Sequence, residues 1–197
     1  MSNTFFATLS RMKYIDRWAL MRNARRENLS EHCLEVAMIA HALCTIGNVR
    51  HGHTLDAEKA ALIGIYHDAS EIITGDMPTP VKYYNPEIRE AYKEVERIAE
   101  AKLLNRLPED LRPAYEEIFR AGSDGEEKYM RRLVKAADKL SAYLKCIEEE
   151  QAGNTEFRTA KGTIWKAVLA LQEELPEVKD FCEEFLPSYG KTLDELA

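Results

Sequence analysis

Helix start and stop signals recur along this chain at helix-length intervals, and no run of alternating β-branched residues competes with them. Asn85-Pro86 sets a capping side chain before a proline at the first helical position, which predicts a helix from there to about Leu107. Ser30 or Asn28 caps a helix over Glu31 to about Ile46, with Gly47 as its stop. Asp56 caps another that passes through Ala60, Ile63 and His67 to Ile73 and ends at Gly75. Pro108 and Pro113 bracket a shorter helix ending near Gly122. Asp124 and Glu127 have capping-box spacing and open a long helix to about Ala152, stopped by Gly153-Asn154. Thr155 to Leu175 carries Ile164, Val168 and Leu171 at helical spacing, and Pro176 and Pro187 punctuate the remainder. Residues 4–14 form a short amphipathic start. The two prolines of Gly75-Asp76-Met77-Pro78-Thr79-Pro80 oppose helix and predict a stiff loop. The expected fold class is all-α. No repeat or long linker divides the chain, so residues 1–197 are expected to form a single domain.

Charge and apolar content narrow the function classes. The 27 Lys and Arg against 34 Asp and Glu give a formal charge of −7, which argues against a general binder of nucleic-acid polymers. Residues 11–26 are the exception: Arg11, Lys13, Arg17, Arg22, Arg25 and Arg26 face Asp16 alone. No apolar stretch is expected to reach the ~18–20 residues that span a bilayer. The first residues, Met1 to Phe6, lack the basic start and apolar run of a signal peptide, so a cytosolic protein with no membrane partner is expected. Cys33, Cys44, Cys146 and Cys182 contain no Cys-x-x-Cys pair and read as reduced, mostly helix-buried thiols.

The chemistry-bearing residues cluster around His67. Glu71 lies one helical turn after it and Asp68 beside it, on a segment otherwise made of Ala60, Leu62, Ile63, Ile65 and Ile72. A polar trio there is costly unless something satisfies it, and a divalent cation would. A surface His-Asp with a salt-bridged Glu would leave the same pattern. His32 opens a face that continues through Val36, Ile39 or Ala40, and Leu43, so it points inward. His41 lies about half a turn away at ~100° per residue and is read as structural. His51-Gly52-His53 reads as a solvated turn. Asp138, in Ala136-Ala137-Asp138, is a poor mid-helix residue; a salt bridge to Lys135 or Arg131 would be its bland explanation.

The order His32, His67-Asp68, Asp138 on an all-α chain resembles the metal-dependent His-Asp ("HD") domain phosphohydrolases. The words around it sharpen the likeness: Arg17-Trp18, Leu20-Met21-Arg22-Asn23, Glu27-Asn28-Leu29-Ser30-Glu31-His32, Tyr66-His67-Asp68-Ala69-Ser70-Glu71, the Thr74 to Tyr83 stretch, Lys135 to Leu140 and Ala142 to Cys146. Over nearly its whole length the chain is similar to the bacterial HD-domain 5′-deoxynucleotidases.

That resemblance implies an HD-domain helical bundle-like fold and removal of the 5′-phosphate from deoxyribonucleoside 5′-monophosphates with one divalent metal ion. Its ligands would be His32, His67, Asp68 and Asp138, a donor set suited to Mn²⁺ or Co²⁺. Glu71 would orient or deprotonate the attacking water, and Arg17 would clamp the phosphate bidentately. Trp18 would pack against the sugar and disfavour a 2′-hydroxyl. Asp76 and the Pro78-Thr79-Pro80 turn would hold the sugar hydroxyl and, with Met77, line the pocket, with His32, Asp68 and Asp138 also facing substrate. Arg22, Arg25 and Arg26 would raise the local anion concentration without a catalytic part. A homodimer is expected from the same likeness.

Two other readings stay open on the sequence. One is an HD hydrolase of another nucleotide, such as the guanosine alarmone pyrophosphate or a cyclic nucleotide. The alarmone enzymes carry a second acid after the Glu, where this chain has Ile72. The other is a non-catalytic helical module stabilised by metal, which would need neither Glu71 nor Arg17.

Overall fold

Side chains that satisfy orphan N–H groups decide where the helices begin. Asn28 Oδ1 accepts the N–H groups of Ser30 and Glu31 at 3.0 and 3.1 Å, and Glu31 Oε2 accepts the Asn28 N–H at 3.4 Å. This reciprocal cap opens α2 (Leu29–Arg50), so Asn28 and not Ser30 is the cap. In the computed structural model, which describes residues 3–82, 84–120, 122 and 125–197, every regular element is helical. Ahead of α2 stand α1 (Phe5–Leu9) and a 3₁₀ turn at Ser10–Tyr14. After it come α3 (Ala57–Tyr66), α4 (Glu71–Thr74), α5 (Thr79–Lys82), α6 (Pro86–Leu104) and α7 (Arg112–Phe119). Then follow α8 (Gly125–Gln151), a 3₁₀ turn at Thr155–Phe157, α9 (Arg158–Glu174) and α10 (Pro176–Glu184). Asn85 accepts the Ile88 N–H at 2.7 Å ahead of Pro86, as expected. The all-α expectation holds among the described residues, where one isolated bridge, Asp16 to Asn28, is the sole extended pairing.

Several boundaries differ from the sequence reading. Gly47 does not stop α2. The helix runs to Arg50, and the left-handed residue after it is Gly52, at φ 72°. Gly47 instead permits close approach, because a Cβ there would lie 2.9 Å from Glu177 Oε1. The helix from Asp56 does not run on to Ile73; it ends at Tyr66 and resumes as α4 after a turn. The Pro78-Thr79-Pro80 segment is not all loop, since Thr79 opens the single turn α5 with Pro80 in its first turn, where a missing N–H does no harm. Asp124 lies outside the described residues, as do Met1, Ser2 and Tyr83. α2 also overturns the expectation about apolar stretches. By length and a mean hydropathy of 1.3 it could cross a membrane, yet 56% of that window is buried inside the protein, as in a core helix.

The contacts divide into two compact units, neither continuous in sequence. The first holds residues 1–20, 26–33 and 65–120. Its core joins Phe5, Ala69, Leu103, Leu104 and Leu107, flanked by Leu9, Tyr66, Tyr115 and Phe119. Because Ala69 is fully buried there, the turn that carries His67 and Asp68 is seated on the core. Met12, Leu29 and Cys33 form a neighbouring cluster, with Leu9, Ile15 and Ile72 against it.

The second unit holds residues 21–25, 34–64 and 121–197. There α8 and α10 both pack on α9. A Cβ at Gly64 would meet Ala37 Cα at 2.7 Å, so α2 and α3 touch backbone to backbone at this point. Glu177 is wholly buried and accepts the Tyr129 hydroxyl at 3.0 and 3.2 Å to its two oxygens. A second buried carboxylate, Glu149, pairs with Lys145 and takes the N–H groups of Ala24 and Arg25 at 2.7 and 3.3 Å. Asn154 donates to Glu149 and to the Arg22 carbonyl, so α8 pins the basic segment 21–25.

Burial opposes ionisation of Glu149, but Lys145 and these donors outweigh it and hold its pKa down at about 2. A depressed carboxylate contributes stability above its unfolded value of 4.5 that is lost as pH falls toward 2. Urea unfolding should therefore find Glu149→Gln less stable than wild type by on the order of 3 kcal/mol at pH 6. That gap should narrow steadily between pH 4.5 and 2.

Candidate active site and metal centre

Past Tyr66 the chain tightens. Ala69 N–H bonds to the Tyr66 carbonyl and Glu71 N–H to that of Asp68, both at 3.0 Å, and Ile73 N–H reaches the Ser70 carbonyl at 3.0 Å. These are i→i+3 bonds, so His67 and Glu71 are not related by the α-helical turn the sequence suggested. The turn instead folds His67 and Asp68 onto each other. Asp68 Oδ2 lies 3.1 Å from His67 Nε2 and 3.6 Å from Nε2 of His32, the fully buried residue in the first turn of α2. The two imidazoles stand 5.2 Å apart between centroids, tilted by 60°.

One ligand atom from each of His32, His67 and Asp68 falls within a sphere where all separations are at most 4.8 Å. Two imidazole nitrogens and a carboxylate oxygen from three side chains are a borderline donor set, suited to a divalent transition ion. Glu71, 7% exposed, has one oxygen, Oε2, buried without a hydrogen-bond partner among the described residues. An orphaned carboxylate oxygen beside such a donor set fits a centre that receives a cation and water.

Electrostatics around the centre are strongly biased. Burial first, then the nearby Asp68 and Asp76 carboxylates, push Glu71 up to about 9, with Lys82 and Arg17 pulling the other way. Burial disfavours the His67 imidazolium, yet Asp68 and a hydrogen bond with Cys33 prevail and raise its pKa well above the usual value. Burial also raises Asp76, opposed by Arg17 and by the Trp18 N–H. Without a cation, this cluster holds protons; a cation would replace them.

Arg17 and Trp18 are fixed by partners that sequence spacing did not reveal. The Asp16–Asn28 bridge closes the segment between them, and Arg17 N–H donates to the Glu27 carbonyl at 2.9 Å. Arg17 Nη1 also meets Glu27 Oε2 at 2.8 Å, both side chains being largely buried, and its guanidinium lies 5.8 Å from the Trp18 ring. Trp18 adopts φ 56°, a left-handed backbone that L residues rarely take, and its N–H donates to Asp76 Oδ2 at 3.3 Å. Sequence spacing assigns Glu27 no role and sets Asp76 on the sugar hydroxyl, whereas the structure shows Glu27 holding Arg17 and Asp76 holding the Trp18 N–H.

Met77 and Pro78 are half-buried, and Thr79 opens α5, its side chain lying outside the described set. Asp138 stands half-buried on α8 in the second unit, with Lys139 Nζ at 3.2 Å from Oδ2. His41 is exposed, as expected. His51 and His53 are not a merely solvated turn, since they pair with Asp180 at 3.0 Å and Glu177 at 3.3 Å on α10. Arg22 is engaged by Glu156, at 2.8 and 3.0 Å. All four cysteines are free and buried.

The family model for YfbR-like 5′-deoxynucleotidases matches residues 4–189. The chain belongs to this family. It is 51% identical over 193 residues to a 5′-deoxynucleotidase of Erwinia tasmaniensis, covering 98% of this chain and 96% of that one. It is 49% identical over 193 residues to the 5′-deoxynucleotidase YfbR of Escherichia coli, with 98% and 95% covered. Among solved structures it resembles an HD-domain phosphohydrolase of Listeria innocua, at TM-score 0.80 and 25% identity over 94% of this chain and 88% of that one. The cyanophage S-2L HD phosphohydrolase DatZ shares the fold at TM-score 0.52 and 23% identity over 72% of this chain and 69% of that one. The fold is thus the all-α HD-domain fold, and this family member is a metal-dependent phosphohydrolase.

The Asp76–Trp18 contact can be tested apart from activity. Left-handed backbone costs an L residue about 1–2 kcal/mol, so removing the carboxylate that holds it should release Trp18. In a Trp165→Phe background, Asp76→Ala should increase acrylamide quenching of the remaining tryptophan, while far-UV circular dichroism stays unchanged.

Proposed function

We propose that this protein hydrolyses deoxyribonucleoside 5′-monophosphates to deoxynucleoside and phosphate. The observation that carries the reading is the convergence of His32, His67 and Asp68 beside the orphaned Glu71 oxygen, in a chain about half identical, over nearly its full length, to proteins named 5′-deoxynucleotidase. His32, His67 and Asp68 hold one divalent ion, Mn²⁺ or Co²⁺ by donor type, with Asp138 as the fourth ligand on the strength of the sequence likeness. The ion, when bound, neutralises phosphoryl oxygens and acidifies water.

The remaining work falls to side chains. Glu71, beside this donor set, would orient the attacking water or accept its proton. Arg17, held rigid by Glu27, presents guanidinium N–H groups to the phosphate without loss of side-chain freedom on binding. Trp18, locked by Asp76, walls the sugar and leaves no space for a 2′-hydroxyl. Met77, Pro78 and Thr79 complete the pocket, Asp76 holds the sugar hydroxyl, and few contacts select the base. The chain passes repeatedly between its two units, which favours one domain over residues 1–197. We place the enzyme in the cytosol as a homodimer, acting on a small molecule and not on nucleic-acid polymers, in keeping with its charge of −7.

The deciding experiment is a panel of ribo- and deoxynucleoside 5′- and 3′-monophosphates assayed with several divalent ions. Turnover should be confined to deoxy 5′-monophosphates, vanish after chelation and return with Mn²⁺ or Co²⁺. Metal-independent turnover would defeat the reading. Glu71→Gln should retain metal binding but lose turnover by roughly 10²-fold or more. In Trp18→Ala the deoxy-over-ribo rate ratio should shrink.

A further inference from the structure

The segment that leaves α4 and carries Asp76 is held at both ends by one face of α6. At its start, the Tyr92 hydroxyl donates to Thr74 Oγ1 at 3.4 Å, and that oxygen donates in turn to the Gly75 carbonyl at 3.1 Å. At its end, Lys82 Nζ stands 4.7 Å from the centre of the Tyr92 ring and 2.6 Å from Glu96 Oε1. Glu96 follows Tyr92 by one helical turn, so the two share that face of α6. Tyr92 is itself buried, which limits competition from water for its contacts.

Between the two holds lies Asp76, whose carboxylate takes the Trp18 N–H at 3.3 Å. The hydroxyl relay ends on the carbonyl immediately before it. Gly75 leaves α4 at φ 75°, and a glycine gives little steric guidance to the chain that follows. The direction in which Asp76 sets out is therefore fixed from outside the segment, and Tyr92 is a side chain that reaches both of its ends.

We propose that Tyr92 is a positioning residue for sugar selection: its hydroxyl and ring hold the 74–82 segment so that Asp76 keeps Trp18 in its left-handed conformation. This rests on the reading that Trp18 walls the sugar. The role calls for no contact between Tyr92 and substrate. The ring supplies a face for the Lys82 ammonium, and the hydroxyl steers the Gly75 carbonyl through Thr74. Tyr92→Phe keeps the first function and loses the second.

The test pairs kcat/KM for a deoxy- and a ribonucleoside 5′-monophosphate of one base with acrylamide quenching of Trp18 in a Trp165→Phe background. Tyr92→Phe should lower the deoxy-over-ribo ratio roughly fivefold, the effect of one hydrogen bond, and raise the quenching. Thr74→Val, which removes the acceptor, should do the same, and the double variant should fall no further than either alone. Co²⁺ affinity should stay at the wild-type value, because His32, His67 and Asp68 lie outside the segment. A merely structural tie would slow both substrates alike and leave the ratio where it was. If Tyr92→Phe is misfolded by circular dichroism, Thr74→Val carries the test alone. A wild-type ratio or wild-type quenching in either folded variant overturns the proposal, as does an additive double variant. A wild-type enzyme that turns over both sugars equally would overturn the reading of Trp18 beneath it, and the proposal with it.

Discussion

A single carboxylate oxygen set between two imidazole nitrogens is the constraint on which the rest of this structure turns. Asp68 Oδ2 is 3.1 Å from His67 and 3.6 Å from the wholly buried His32. Polar groups gathered this closely out of water are unfavourable unless protons or a cation compensate them. The surrounding architecture bears the cost. α3 is cut short at Tyr66, Ala69 anchors the turn in the Phe5 and Leu103 cluster, and Asn28 starts α2 so that His32 arrives inside its first turn.

The acidic neighbours share one electrostatic problem. Burial first, then the charge of Asp68, raises the affinity of Glu71 and Asp76 for protons, and Arg17 offsets this only in part. Such a centre would exchange protons for positive charge on binding an ion, so ion binding and the protonation of Glu71 would be coupled. Arg17 has a double attachment through Glu27, so its guanidinium keeps its place while the charge around it changes.

Much of this was legible in residue order. Caps and prolines gave the helices, because their effect is local: Asn85 and Gly153 do in the structure what their chemistry dictates. The inward direction of His32 followed from the apolar stripe behind it. What could not be read was tertiary. Gly47 looks like a stop, yet α2 continues to Arg50, and the glycine's use is to leave room for a buried partner. The break at Tyr66 has no proline or glycine at the break itself to announce it. Glu27 and Asp76 gain their roles from bonds across a bridge and across 58 residues, distances over which spacing carries no information.

Gly47 carries a consequence of its own. With no side chain, it leaves room for the carboxylate of Glu177, which is sealed from solvent and answered by the Tyr129 hydroxyl. Any larger residue at 47 would displace an ionisable group that has nowhere else to go. A smaller apolar residue at 177 would leave a void beside the helix and strip Tyr129 of its acceptor. The two positions are therefore bound to a common history: descendants of this chain should change them together or keep them both.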